Sequence, residues 1–210
     1  MSDTLIPIDG ESVVADLIVP GHSTGLIVFA HGRGSSRFSP RNKYVAETLQ
    51  HAGFATLLFD LLTPDEAIRQ ELVFDVDLLG DRLRTALAWV RNQPDCANLP
   101  IGLFGASTGA AAAMIVAARA PQEISAVVSR GGRPDLAMQH LPRVFAPTLF
   151  IVGGADEDVL LLNRTAARFL AGPHEIRVIS GATHLFEEPG ALEQVADAAC
   201  SWFEAHLRAA

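Results

Sequence analysis

Gly105-Ala106-Ser107-Thr108-Gly109 decides how this chain is read. The short apolar run Ile101-Gly102-Leu103-Phe104 precedes it, and the small-residue run from Ala110 to Ala120 follows. Strand, G-x-S-x-G and helix in that order make a nucleophile elbow. A turn that tight lifts the serine hydroxyl clear of the backbone. It also crowds the positions two residues to either side, where Gly105 and Gly109 remove the collision. Ala110 to Ala113 lets the following helix approach its sheet closely. The first turn of that helix brings unpaired N–H groups and a positive dipole end to where an oxyanion would form.

Working outward, apolar runs alternate with helical patterns along almost the whole chain. Strands are expected at Leu5 to Ile8, Val13 to Val19, Gly25 to Ala30, Phe54 to Phe59, Ala126 to Ser129, Thr148 to Val152 and Ile176 to Ile179. Ser39-Pro40 opens a helix as N-cap and first-turn proline, running to about His51. A polar loop containing Thr63-Pro64-Asp65 precedes a long amphipathic helix from about Phe74 to Arg91 that buries Val76, Leu79, Leu83, Leu87 and Val90. A last helix buries Leu192, Val195, Ala199, Trp202 and Phe203. Apolar strands alternating with helices predict an α/β fold: a mostly parallel sheet of about seven to eight strands with both faces covered. Residues 1–210 are long enough for one domain with a full core and short for two.

Composition narrows the function. The chain is 49% hydrophobic and 19% charged, with a formal net charge of −8 and a pI near 5.3. An acidic surface argues against nucleic acid and anionic membrane as partners. No apolar run is long enough to span a bilayer, and Met-Ser-Asp-Thr has no signal-peptide pattern, so a cytoplasmic location is expected. Cys96 and Cys200 have no metal-ligand spacing and read as free thiols. The sequence leaves a homodimer open.

In a parallel sheet the chemistry lies at the C-terminal ends of the strands. Gly153-Gly154-Ala155-Asp156-Glu157-Asp158 follows one strand, and Ser180-Gly181-Ala182-Thr183-His184 follows the next. Ser107, an acid and His184 thus stand in the order Ser, acid, His, each on a strand-end loop. A serine hydroxyl at its free pKa is a poor nucleophile, so His184 takes its proton, and an acid holds the imidazole in the right tautomer. Asp156 has the G-x-x-D spacing for that acid. Asp158 reads as a first-turn helix acid favoured by the dipole. Two backbone donors for an oxyanion are expected from Thr108 N–H and from the loop His31-Gly32-Arg33-Gly34-Ser35-Ser36, through Arg33 and Gly34.

Together these residues resemble the α/β-hydrolase superfamily, in particular small hydrolases similar to dienelactone hydrolase. The resemblance runs from His31-Gly32-Arg33-Gly34 through the elbow and Gly153-Gly154-Ala155-Asp156 to Gly181-Ala182-Thr183-His184. It implies a serine hydrolase with no metal and no organic cofactor. It departs at the nucleophile, cysteine in true dienelactone hydrolases and Ser107 here, so dienelactone itself is not the substrate implied. Many relatives insert a helical cap between the sixth strand and the next helix. Arg130 to Pro147 leaves no room for one, which implies an open site suited to a small ester or lactone.

Two stretches are purely basic: Arg33, Arg37, Arg41 and Lys43 within His31 to Tyr44, and Arg130 and Arg133 within Ile124 to Pro134. Both follow strands that should flank the site. Arg41 sits in a helix's first turn, where a cation is unfavourable. Arg130 and Arg133 are candidate substrate-binding residues, since arginine forks hold carboxylates and phosphates. The expected activity is carboxylic ester or lactone hydrolysis through an acyl-Ser107 intermediate. A thioesterase or acyltransferase with the same three residues is the near alternative, and a catalytically silent binding module the distant one.

Overall fold

A computed structural model describes residues 4–8 and 10–207. One sheet of eight strands runs through it: β1 (Thr4–Ile8), β2 (Glu11–Ile18), β3 (Leu26–Ala30), β4 (Ala55–Phe59), β5 (Ile101–Ala106), β6 (Ile124–Arg130), β7 (Thr148–Gly153) and β8 (His174–Ile179). Their spatial order is β1-β2-β4-β3-β5-β6-β7-β8. β1 and β2 pair antiparallel, as do β2 and β4. Every later pairing is parallel. The strand at the centre, β5, is buried at every position, and so are β3 and β4 on its flank. That is why these segments read as unbroken apolar runs.

Helices cover both faces. α1 (Pro40–His51) and α7 (Ala191–His206) pack on one, where Val45, Leu49, Phe104, Val195 and Phe203 form a core. α4 (Val76–Arg91), α5 (Thr108–Arg119) and α6 (Glu157–Ala167) pack on the other, around Leu83, Leu87, Met114, Ile115 and Ala166. Phe29 and Phe104 stack with centroids 4.9 Å apart within the first core. Ser39 caps α1 by accepting from Asn42 N–H, with Pro40 in the first turn. The alanines of α5 are all buried, which lets that helix lie against the sheet.

Three expectations need correction. The long helix begins at Val76 rather than Phe74, because the Asp75 carboxylate accepts from Leu78 N–H and starts it there. The stretch before it is not all loop. α2 (Pro64–Ala67) is closed by a capping box, in which Thr63 Oγ1 accepts from Glu66 N–H and Glu66 Oε2 accepts from Thr63 N–H. α3 (Gln70–Val73) follows. β8 is not covered on both faces either. It is an edge strand, and His174, Glu175, Arg177 and Val178 are exposed. Between β6 and β7 the chain makes only two short 3₁₀ turns, Pro134–Ala137 and Leu141–Arg143.

Candidate active site

β5 ends in the interior of the sheet, and Ser107 is the residue that turns the chain into α5. Its backbone has φ +51° and ψ −123°. A serine at positive φ is strained and is held there by its surroundings. Ser107 N–H donates to Arg130 O at 3.3 Å, and Ser107 O accepts from Ala110 N–H and Arg133 N–H, each at 3.1 Å. The glycines around it are required by space. A Cβ on Gly109 would lie 2.1 Å from Ala30 O, and one on Gly105 2.5 Å from Ala110 Cα. Gly32 lies directly against the serine: a Cβ there would stand 2.6 Å from Ser107 Cβ.

The acid and the histidine arrive on the neighbouring strand ends. Asp156 occupies the N-cap position of α6 yet makes no side-chain cap. Its Oδ2 accepts instead from His184 Nδ1, at 2.6 Å. The carboxylate is mostly sheltered, with 16% of its side chain exposed against 39% for the imidazole. A proton held on Nδ1 leaves Nε2 as the basic nitrogen. Asp158 is exposed in the first turn of α6. Gly131, with φ +50°, brings the β6 end under the imidazole; a Cβ there would lie 3.4 Å from His184 Cε1. The sequence signal for Gly131 was only its place in Arg130-Gly131-Gly132.

The loop after β3 faces Ser107 from the other side. Arg33 N–H donates to Thr108 Oγ1 at 3.1 Å, which ties this loop to the head of α5. Thr108 N–H stands at the first helical position, where no carbonyl lies one turn back to accept it. Gly34 has φ +66°, and no hydrogen bond from its N–H is seen among the described residues.

Below that loop is a brace that residue spacing did not reveal. Arg37 N–H donates to Asp60 Oδ1 at 2.7 Å, and Arg37 Nη1 reaches both oxygens of Asp16 at 3.1 and 3.2 Å. His31 Nε2 accepts from Leu61 N–H at 3.1 Å, so its proton is on Nδ1, directed at Gly32 O 3.1 Å away. Burial is the main cause that lowers the His31 pKa, outweighing Asp60 and the Gly32 carbonyl. The ring is neutral, and its 3.9 Å approach to Asp60 is not an ion pair. The loop also borders a cavity of about 460 Å³, walled by Leu61, Leu62, Pro64, Val73, Leu79 and Thr108 among others.

The basic residues separate clearly. Arg33 is exposed and lies over the Phe74 ring, and Lys43 lies over Phe38. Arg133 grips Asp135 with both prongs, Nε and Nη2 each 2.8 Å from an oxygen. Arg130 is close to Ser107 through the backbone and has no such partner among the described residues.

A mostly parallel sheet with this strand order and a strained serine at the head of its central helix is the architecture of an α/β hydrolase. The chain belongs to the dienelactone hydrolase family, which residues 15–209 match. Its backbone superposes on a dienelactone hydrolase from Anabaena variabilis with a TM-score of 0.95, at 49% identity, covering 99% of this chain and 98% of that one. Est1E from Butyrivibrio proteoclasticus shares the fold with a TM-score of 0.84 at 17% identity, over 98% of each chain. A curated Mycobacterium tuberculosis protein, named "Putative phosphoribosyl transferase", is 58% identical over 195 residues. Those residues are 93% of this chain and 44% of that protein, so the chain spans less than half of that relative.

Proposed function

We propose that this chain is a serine hydrolase that cleaves a carboxylic ester or lactone through an acyl-Ser107 intermediate. The observation that carries the reading is the 2.6 Å His184–Asp156 bond, standing over the β6 end that also receives the Ser107 N–H. Asp156 holds the Nδ1 proton, so His184 Nε2 is the base that takes the proton from Ser107 Oγ as it attacks the carbonyl. Nε2 then returns that proton to the leaving alkoxide. Water, activated by the same nitrogen, releases the acyl group. The tetrahedral oxyanion is received by Thr108 N–H and by Gly34 N–H, with Arg33 N–H joining if it leaves Thr108 Oγ1. The cavity beside the loop takes an apolar part of the substrate. No metal or organic cofactor enters this scheme, and the chemistry suits the cytoplasm.

The name of the mycobacterial relative does not displace this reading. Phosphoribosyl transfer displaces pyrophosphate from an activated ribose and has no use for an acylated serine. The part of that protein outside the shared stretch is larger than the part inside it, so its name does not fix the activity of the shared stretch. A thioesterase or acyltransferase would use the same residues with another acceptor or leaving group.

A fluorophosphonate probe tests the proposal. Wild type is expected to be labelled at Ser107 and to hydrolyse p-nitrophenyl acetate, while Ser107→Ala loses both, with a fall on the order of 10⁶ in rate by the protease precedent. An unlabelled, inactive wild type points to a binding module. A panel of esters, lactones and thioesters then ranks the leaving groups.

A further inference from the structure

The end of β6 carries a cation that no carboxylate neutralises among the described residues. Arg130 lies opposite Ala106 in the β5–β6 register, one residue before Ser107. It shares a sheet face with Val128, two residues earlier, which belongs to the core under α1 and α7. Its Nε and Nη1 are buried and have no hydrogen-bond partner, and no carboxylate pairs with it among the described residues. The charge that acts on it is another arginine. Arg41, in the first turn of α1, joins burial in pushing the Arg130 pKa down to about 10. Arg41 Nε is also buried without a partner. Its Nη1 touches Glu187 Oε1 at a long 3.4 Å, and that carboxylate is 65% exposed.

As whole residues both arginines are half-buried, with 31% of the Arg41 side chain exposed, but guanidinium nitrogens cut off from water and left unpaired are unfavourable, and a second cation nearby adds to that cost. The chain does not lack acids, with 24 Asp and Glu against 16 Lys and Arg. Elsewhere around the site they are used: Arg37 has Asp16 and Asp60, and Arg133 has Asp135. Leaving Arg130 bare next to the Ser107 backbone therefore points to a counterion from outside the chain.

We propose that Arg130 and Arg41 form an anion subsite that binds a carboxylate or phosphate group of the substrate, on the β6 side of Ser107. The inference rests on Ser107 being the nucleophile and gives the substrate its charge. The strand order β4-β3-β5-β6 sets this subsite on one side of Ser107 and the apolar cavity on the other. The substrate spans the serine with an apolar group toward Leu61 and Val73 and an oxyanionic group toward Arg130. A guanidinium edge matches two oxygens of either group.

The test uses a matched pair, mono-p-nitrophenyl glutarate and its methyl ester, which differ only in the free carboxylate. In wild type the charged ester is expected to have the higher kcat/KM, by about tenfold or more, as for a charged hydrogen bond. The ratio should fall toward one in Arg130→Gln and in Arg41→Gln and be partly kept in Arg130→Lys. It is taken within each protein, so a general loss of activity cancels, and Arg41→Gln carries the test should Arg130→Gln not fold. A second arm needs no catalysis: glutarate and inorganic phosphate are titrated calorimetrically into wild type and Ser107→Ala. Binding of glutarate alone assigns a carboxylate, and binding of phosphate alone a phosphate. A ratio near one with neither anion bound overturns the inference even where the fluorophosphonate labels Ser107. So does anion binding that survives both glutamine variants. Failure of labelling with Arg130-dependent anion binding intact overturns the hydrolase reading instead.

Discussion

At the residue scale, the two acids after β7 have opposite surroundings. Asp156 gives up the cap of α6 and holds His184, while Asp158 is exposed within the first turn. Asp156→Asn should lower kcat on the order of 10⁴-fold, because an amide favours the wrong imidazole tautomer. Asp158→Asn should leave kcat nearly unchanged and reduce stability by about 0.3–1 kcal/mol through the helix dipole. Steady-state kinetics and thermal melts of the two variants decide this, and an inactive Asp158→Asn enzyme would exchange the roles. The packing of Gly109 gives a second prediction. Its Cβ would stand 2.1 Å from Ala30 O, a backbone atom that cannot rotate away. Gly109→Ala should destabilise by at least about 1–3 kcal/mol; a variant with wild-type melting behaviour would show that β3 and α5 are less tightly held than this spacing says.

At the element scale, the segment between β4 and α4 does the most that its composition does not announce. α2 and α3 are short, but Pro64, Ala67 and Val73 wall the cavity beside the β3 loop. Glu66 anchors them twice, through the capping box and through Arg82 Nη2 at 2.7 Å. Glu66→Ala should speed amide exchange across residues 63–73 roughly fivefold, the equivalent of losing about 1 kcal/mol of cap. It should raise KM for esters with bulky apolar groups more than it lowers kcat. Unchanged exchange would mean that packing against α4, rather than the cap, holds this wall. The β3 loop is braced in the same manner, since Arg37 within it pairs with Asp16 of β2 and with Asp60 just after β4, residues far apart in the chain.

At the scale of the whole molecule, His31 couples the fold to pH. Burial lowers its pKa in the folded protein, while the unfolded chain titrates near 6.5. The unfolded state therefore binds the proton first as pH falls. The His31 contribution to stability is fully present above about pH 6.5 and is lost on acidification toward the lowered folded value, by at most about 1.4 kcal/mol per pH unit. Burial lowers the His206 pKa too and acts in the same direction, more weakly because that group is largely solvated. Urea melts of wild type and His31→Gln between pH 5 and pH 7.5 test this. The variant should lose part of the pH slope, and an unaltered slope would assign it to other groups.

The sequence by itself determined the parts that depend on local order. Strand–helix alternation, the pentapeptide at Ser107, the Ser39-Pro40 helix start and the strand-end positions of Asp156 and His184 all follow from near-neighbour spacing and residue size. The edge character of β8 was not readable, because apolar residues at Ile176, Val178 and Ile179 look the same whether one face is covered or two. The separation of the arginines was not readable either. Arg37, Arg130 and Arg133 look alike in sequence, and only the fold hands carboxylates to two of them. Pairing of charges is a through-space property between residues as distant as Asp16, Arg37 and Asp60. Tertiary structure alone decides which cation is neutralised within the protein and which is left beside Ser107.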